Sequence, residues 1–143
     1  MDIHYKLSEI AGVDWAQMKE RLIGDDFDNG RTRDQLRESF ANSHSFCIAY
    51  AGLDIVGTAR ILSDGVCNAY LVDVWTYSPF RRHGIARSMI DLLLRSLPGQ
   101  HVYLQTDQNA FYEKLGFAPQ PTGMHRIVGE WLNNDPNWLR QRH

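Results

Sequence analysis

The sequence has few cysteines, no long apolar run and little net charge, and each shortage excludes a class of protein. Its two cysteines, Cys47 and Cys67, have neither CxxC spacing nor a neighbouring histidine cluster, so we expect no metal site and a buried, reduced thiol at Cys47. No apolar run reaches the ~18 residues of a membrane span, and the first residues lack the apolar core of a signal peptide. We therefore expect a cytoplasmic protein without a membrane partner.

The charge and the composition point to an ordinary globular domain. The formal net charge of −2 argues against general binding of nucleic acid. A hydrophobic fraction of 43% with 22% charged residues is typical of a folded protein. A chain of 143 residues is about one domain long and can bury roughly two-thirds of its unfolded surface. We therefore expect a single domain over residues 1–143.

The most informative stretch is the basic turn from Arg81 to Ala86, with the sequence RRHGIA. It follows an apolar run over residues 69–76 that predicts a strand, and it precedes residues 85–97, whose apolar positions recur at helical spacing. The first turn of a helix has unpaired N–H groups and the positive end of the helix dipole. The sequence therefore predicts an anion site here, suited to a pyrophosphate.

The remaining pattern predicts a mixed sheet of the α/β (α+β) class. Strands are predicted over residues 3–7, 46–50, 55–62, 69–76 and 101–106, from Phe117, and over 125–128. Helices are predicted after Asp14, from Thr32 as cap to about Asn42, from Gly84 to Leu97, and after Asn109. The first strands form an antiparallel meander, and the helix between residues 76 and 101 calls for one parallel pair with a right-handed crossover. The sheet would then have six to seven strands.

The basic turn resembles the cofactor signature of the GNAT N-acetyltransferase superfamily, which reads Gln or Arg, two residues, Gly, one residue, Gly or Ala. Arg81, Gly84 and Ala86 fill the three places. Residues 109–117, NAFYEKLGF, resemble the second half of the family pattern, one helix and one strand later. The resemblance covers about residues 46–128 and implies a GNAT-like sheet with helices on both faces. Ala86 stands where glycine is frequent, and Ser78-Pro79 shifts the usual proline by one place.

The resemblance implies an acetyl-CoA-dependent N-acetyltransferase, in which a primary amine of a small molecule attacks the thioester directly. Residues 1–45 would form the substrate side, 46–128 the cofactor-binding core and 129–143 a C-terminal tail. The tail carries Trp131, Trp138 and Leu139, which could pack on their own domain or on a second copy, so a homodimer stays open. Two alternatives also stay open, a non-catalytic acyl-CoA-binding regulatory module and a protein-lysine acetyltransferase. A phosphate-loop nucleotidase is disfavoured because GxxxxGK[ST] is absent.

Acetyl-CoA would be held by the turn and by the strand before it. Backbone N–H groups from about Arg82 to Arg87 would donate to the pyrophosphate. In the family the fourth and fifth strands splay apart, which implies that the backbone of Val74 and Thr76 pairs with the pantetheine arm and polarises the thioester. Asn109 would contact the arm, with helix capping as an equally good alternative. The implied cofactor-binding residues are Val74, Trp75, Thr76, Arg81, Arg82, His83, Gly84, Ile85, Ala86, Arg87 and Asn109.

Two residues are candidates for catalysis. Tyr112 matches the family's tyrosine, and a phenol with a pKa of about 10 can protonate a thiolate formed near a pKa of about 8.5. Its alternative is an aromatic residue that packs on the core. Asp73, flanked by Val72 and Val74, either binds or deprotonates the ammonium or has a structural hydrogen-bonding role, because an aspartate is costly to bury without a partner. Asp107 is a second possibility for the base.

The acceptor would lie under the segment between the first two helices, which usually covers the substrate in the family. Candidate specificity residues there are Asp25, Asp26, Asp28, Arg31 and Arg33, and the alternative for each is a solvated polar loop. Together with Trp75, Tyr77 and Asp64, this acidic segment suggests an aromatic-lined pocket tolerant of cations. The predicted substrate residues are Asp25, Arg31, Asp64, Trp75 and Asp107, and no metal is expected.

Overall fold

The computed structural model describes residues 2–132. Within them, β1 (Ile3–Leu7), β2 (Ser45–Ala51), β3 (Asp54–Ser63), β4 (Asn68–Thr76) and β5 (His101–Tyr103) form one sheet in chain order. The helices are α1 (Trp15–Gly24), α2 (Arg33–Ala41), α3 (Ile85–Leu94) and α4 (Asn109–Glu113), and a 3-10 turn spans Ser78–Phe80. The first four strands are antiparallel neighbours, whereas β4 and β5 are parallel. The predicted meander with one parallel pair is confirmed.

The predicted count of six to seven strands is wrong for the described residues, whose sheet has five. Residues 117–128 form no strand there, and Val128 is 86% exposed. Pro119 and Pro121 supply no N–H to a ladder, which disfavours a paired strand across this segment. Trp138 and Leu139 of the predicted tail lie outside the described residues. Among those described, no helix is long and apolar enough to cross a membrane.

Helices cover both faces of the sheet. On one face, α3 buries Ile85, Met89, Ile90 and Leu93 against apolar residues of β2, β3 and β4. On the other face, α1 and α2 bury Met18, Leu22, Leu36 and Phe40 against Ile48, Ile55 and Trp75. Neighbouring strand residues such as Ile55 and Val56 belong to opposite clusters, as the period of two in a strand requires.

Side-chain caps fix the starts of α1 and α2, and the Asp25 N–H closes the C-terminus of α1 by donating to the Arg21 and Leu22 carbonyls. Asp14 starts α1 by accepting from Gln17 N at 3.0 Å. Thr32 Oγ1 accepts from Gln35 N at 3.1 Å, and Gln35 Oε1 accepts from Thr32 N at 2.9 Å, which is the predicted capping box at the start of α2. Residues 25–31 therefore form a short loop between two well-defined helix ends.

Gly57 in β3 determines how closely the start of α3 approaches the sheet. A Cβ at this position would lie 3.1 Å from both Ile85 Cγ2 and Met89 Cε, and 3.2 Å from the carbonyl oxygen of Trp75. These distances are shorter than ordinary van der Waals contacts, so glycine permits the observed packing. The N-terminus of α3 is thereby placed beside the end of β4.

Candidate functional site

A cleft opens where β4 and β5 separate. The two strands pair only at Asn68 with His101, Ala69 with Val102 and Tyr70 with Tyr103. Beyond these pairs β4 continues to Thr76, paired with β3 but not with β5. The cleft has a volume of about 2080 Å³ and is lined by the rest of β4, the chain after β5, the start of α3 and α4. The separation agrees with the splayed strands that the resemblance implies. Along it, no strand formed by residues 2–132 neighbours β4 on the β5 side, so an extended ligand can reach its backbone groups.

A bulge interrupts β4 beside this cleft. Thr58 pairs with Trp75 and Arg60 pairs with Val72, so Asp73 and Val74 lie opposite the single residue Ala59. Asp73 has a φ of 51°, in the left-handed region that non-glycine residues rarely adopt. Leu71 and Trp75 are four positions apart, yet they lie in opposite hydrophobic clusters. The bulge therefore reverses the alternation of the strand at the point where it borders the cleft.

The Asp73 side chain lies between two arginines. Its Oδ2 accepts from Arg31 Nη1 at 2.8 Å and from Arg60 Nε at 2.6 Å, and the three side chains are only 9% to 14% exposed. Burial acts to raise the pKa of the Asp73 carboxyl, but the two guanidiniums outweigh it and hold that pKa below its ordinary value of 3.8. A carboxylate with a lowered pKa is a weak base at neutral pH. The contacts therefore favour the structural role for Asp73 that the sequence left open.

Two predicted substrate residues, Asp25 and Trp75, bind each other. The indole N–H of Trp75 and the backbone N–H of Ser78 both donate to Asp25 Oδ2 at 2.9 Å. Trp75 is 2% exposed and lies in the α1–α2 core, and the Asp25 side chain is 7% exposed. The Tyr77 ring of the predicted cation-tolerant pocket already has the Arg21 guanidinium 4.4 Å from its centroid. These side chains therefore connect the loop to the sheet, and Trp75 also lines the cleft, so the aromatic acceptor pocket stays a prediction.

The turn before α3 has the geometry of an anion site. Gly84 is the N-cap with a φ of 76°, no side chain caps the helix, and a Cβ at Gly84 would meet nothing within 4 Å. The unbonded N–H groups of the first turn of α3 therefore border open space. The predicted residues of the turn that line the cleft are Arg81, Arg82, Gly84, Ile85, Ala86 and Arg87, whereas His83 is exposed and lies outside the lining.

The short helix α4 forms the opposite wall of the cleft. Tyr112 lines the cleft, is half-buried and meets Phe111 and Phe117 edge-on, with centroids 4.9 Å and 5.9 Å away. Burial raises the pKa of the Tyr112 phenol above its ordinary value of 10, so the hydroxyl stays protonated at neutral pH. Asn109 also lines the cleft, as the first residue of α4, and the predicted alternative of capping is wrong because Gln108 occupies the cap position.

Two further predicted acceptor residues lie away from this wall. Asp64 lies in the turn before β4, where its Oδ1 accepts from Val66 N at 2.8 Å and Cys67 N at 3.0 Å. These backbone hydrogen bonds lower the pKa of the Asp64 carboxyl, and they give Asp64 a structural role in the turn. The turn precedes Asn68, roughly 25 Å from Thr76 along the strand. Asp107 is exposed and is not among the residues that line the cleft.

Two residues near the bulge and the cleft were not predicted from the sequence. Arg60 pairs with Asp73, and the signal for it was an arginine inside the apolar run of β3, which needs a partner for the same reason as Asp73. Phe27 lines the cleft from the loop between α1 and α2, and its only signal was an aromatic residue in an acidic segment. Among the described residues, no group of three or more His, Cys, Asp or Glu could hold a metal ion.

A model of the Acetyltransferase (GNAT) family matches residues 10–117, which contain the basic turn, the bulge, α4 and most of the residues that line the cleft. The chain belongs to the GNAT acetyltransferase family. A similar sequence is an uncharacterized N-acetyltransferase, ycf52, of Pyropia yezoensis, 32% identical over 79 residues. That match covers 52% of this chain and 45% of the relative, so it spans about half of the relative's length.

Solved structures of the family have the same fold. An acetyltransferase, a GNAT family protein from Streptococcus pneumoniae TIGR4, is 25% identical with a TM-score of 0.74, over 90% of this chain and 100% of that one. Glucosamine-6-phosphate N-acetyltransferase from Arabidopsis thaliana is 18% identical with a TM-score of 0.70, over 90% of this chain and 100% of that one. The similarity extends over nearly the whole domain, and at these identities it supports the fold more than any particular acceptor.

Proposed function

We propose that this chain transfers the acetyl group of acetyl-CoA to a primary amine of a small molecule, by direct attack of the amine on the thioester. The observation that carries this proposal is the cleft itself. Its length runs from an uncapped helix N-terminus, along a strand edge without a strand neighbour, to a protonated tyrosine on the opposite wall. Those three features suit a pyrophosphate, an amide-bearing arm and a leaving thiolate, in that order.

The N-terminus of α3 would bind the pyrophosphate. Backbone N–H groups of Ile85, Ala86 and Arg87 donate to its oxygens, and the nearby guanidiniums of Arg81 and Arg82 add positive charge. Arg81 Nε now donates to the Thr76 carbonyl at 3.3 Å. Arg81 therefore has to turn toward the pyrophosphate before the Thr76 carbonyl can accept from an amide of the pantetheine arm.

The backbone of Val74 would stabilise the negative charge that develops on the thioester oxygen. A backbone donor of this kind is fixed before the reaction starts, and such groups contribute about 3 kcal/mol in enzymes where one has been removed. Asn109 contacts the arm from the α4 side. Acetyl-CoA supplies the acetyl group and the thiol leaving group.

Tyr112 would act as the general acid. As the amine nitrogen bonds to the carbonyl carbon and the C–S bond breaks, the phenol gives its proton to the departing sulfur. The phenolate then regains a proton released by the acetylated nitrogen, directly or through water, so no net proton stays on the enzyme. Asp73 is not needed as the base in this scheme, because its carboxylate is bound by Arg31 and Arg60.

Release of CoA thiol from acetyl-CoA, measured with a panel of amines, tests the proposal. We expect amine-dependent release, and a decrease in kcat of about 100-fold in Tyr112→Phe with an unchanged Kd for acetyl-CoA. Tyr70→Phe is the matched control, because Tyr70 also lines the cleft but stacks on Tyr103 away from α4. Tight binding without release by any amine would instead identify a non-catalytic acyl-CoA-binding module.

A further inference from the structure

We infer that Arg31 and Arg60 are positioning residues of the acetyl-transfer site, which act through Asp73 to hold the bulge of β4 and, with it, the backbone of Val74. The inference rests on the proposed function, since Val74 is assigned there to the thioester. It gives Arg31 a task different from the acceptor contact expected from the sequence. The task is to fix the geometry of a backbone group that Arg31 does not touch.

The backbone conformation of the bulge has to be stabilised by neighbouring groups. Asp73 is a non-glycine residue at a φ of 51°, a conformation that persists only where neighbouring groups impose it. Three groups impose it: Thr58 Oγ1 donates to the Asp73 carbonyl at 3.0 Å, and two guanidiniums bind Asp73 Oδ2. The side-chain contacts come from β3 and from the α1–α2 loop, so both neighbours of the bulge contribute.

The bulge also determines which groups face the cleft. If β4 continued as a regular strand through Asp73, Trp75 would lie on the same side of the sheet as Leu71, and the backbone groups of Val74 would point in the opposite directions. The bulge lies in the part of β4 that has no partner on the β5 side. The orientation of Val74 toward the cleft therefore depends on the Asp73 anchor.

The α1–α2 loop is attached to β4 on both sides of Val74. Arg31 binds Asp73 just before it, and Asp25 accepts from Trp75 just after it. Arg31 is itself fixed, because its Nε donates to the Asp28 carbonyl at 3.1 Å and the next residue, Thr32, caps α2. The loop therefore holds β4 at two points, and it limits the movement of the strand segment that contains Val74 and borders the cleft.

The two arginines are partly redundant, which makes the inference testable. In Arg31→Met, Asp73 keeps its ion pair with Arg60, and in Arg60→Met it keeps the pair with Arg31. Each single variant therefore avoids leaving the carboxylate buried without any partner. Arg37→Met is the matched control, because Arg37 is an exposed arginine of α2, outside the predicted acceptor segment and without an ion pair to Asp73.

The decisive measurement is the carbonyl stretch of acetyl-CoA labelled with ¹³C at the thioester carbon, recorded by infrared difference spectroscopy on the full chain. We expect the bound frequency to lie below the free frequency in the wild type and in Arg37→Met. In Arg31→Met and Arg60→Met it should return part of the way to the free value. With every amine that reacts, kcat should fall by the same factor, about 10- to 100-fold, while the Kd for acetyl-CoA stays within about twofold.

An acceptor-binding role for Arg31 gives the opposite pattern and would overturn the inference. The carbonyl frequency would then equal that of the wild type, and the KM for the amine would rise by a factor that differs between amines. Arg31→Lys keeps the charge without the planar fork, so we expect values between wild type and Arg31→Met, and it replaces Arg31→Met if that variant does not fold. A lowered carbonyl frequency without transfer to any amine would refute the proposed function and leave this inference standing; no binding of acetyl-CoA would refute both.

Discussion

On the face of the sheet that α3 covers, the buried cluster is entirely apolar, whereas the α1–α2 face also buries an aspartate between two arginines and an indole N–H bound to a carboxylate. The apolar face holds the helix whose first turn we assign to the pyrophosphate. The polar face holds the strand that we assign to the thioester. Apolar packing tolerates small shifts of a helix, but hydrogen bonds and ion pairs fix individual atoms. The difference suggests that precise positioning is needed mainly at the thioester.

The largest expected difference between the two faces is in stability and its dependence on pH. Asp73→Asn keeps a residue that tolerates the left-handed backbone but removes the charge, so we expect the free energy of unfolding at pH 7 to fall by about 3 kcal/mol. The folded pKa of Asp73 lies below its unfolded value of 3.8, so its contribution is present above the unfolded pKa and is lost as the pH falls through the folded pKa. The measurement is chemical denaturation from pH 7 to pH 3, in which the difference from wild type should shrink.

Met89→Ala on the α3 face is the contrasting variant. Met89 is fully buried among apolar residues, and its truncation should lower the free energy of unfolding by about 2–5 kcal/mol at every pH. A pH-independent loss in Asp73→Asn as well would mean that the Asp73 ion pairs do not contribute to stability as argued.

The next effect tests the anion site at the start of α3. Gly84→Val should weaken binding of acetyl-CoA about 100-fold, which is ~2.7 kcal/mol, because the side chain would fill the space in front of the helix N-terminus. Gly99→Val is its control: Gly99 has a φ of 77° and open space around its Cβ, as Gly84 does, but it lies outside the cleft lining.

Both glycine variants should lose about 1–2 kcal/mol of stability from backbone strain, and only Gly84→Val should lose affinity in calorimetry. Equal affinities of the two variants for acetyl-CoA would show that the pyrophosphate does not bind at this turn.

The smallest effect concerns the close contact between β3 and α3. Gly57→Ala places a Cβ 3.1 Å from the flexible end of Met89 and from Cγ2 of the stiff, β-branched Ile85, and 3.2 Å from a backbone oxygen, so we expect a loss of about 1–2 kcal/mol as α3 shifts outward. Gly24→Ala at the end of α1 meets nothing within 4 Å and should instead gain about 0.5–1 kcal/mol. Thermal unfolding of both variants measures the difference, and a gain in Gly57→Ala would contradict the tight packing described above.

The α3 side of the molecule could be predicted from the sequence because its determinants are local. Apolar spacing gave the buried residues of α3, and the capping box gave the start of α2, since both depend on residues within a few positions of one another. The α1–α2 side depends on partners far apart in the chain. Arg31 and Asp73 are 42 residues apart and Asp25 and Trp75 are 50 apart, so their charges could equally have belonged to a solvated loop or an acceptor pocket.

Several predictions from the sequence were incomplete or wrong because the sequence does not show which partner a residue finds in the fold. Asp73 was expected to need a partner, but the sequence could not say that two arginines would share one of its oxygens. Asp64 looked available as a charge, yet a local turn uses its carboxylate. Strands were expected from Phe117 and over residues 125–128, on either side of Pro119 and Pro121, but so short a pattern does not show whether a partner strand is within reach.

If acetyl-CoA binds as proposed, the three-residue pairing of β4 with β5 would make the coenzyme a structural part of the protein as well as a substrate. An arm that hydrogen-bonds to β4 on one side and contacts α4 on the other completes the sheet where the polypeptide leaves it incomplete. Because a ligand that binds only the folded state stabilises it in proportion to the logarithm of its concentration, resistance of residues 101–117 to proteases should rise with the supply of acetyl-CoA. The half-life of the enzyme in a cell would then follow the metabolic state that provides its acetyl groups.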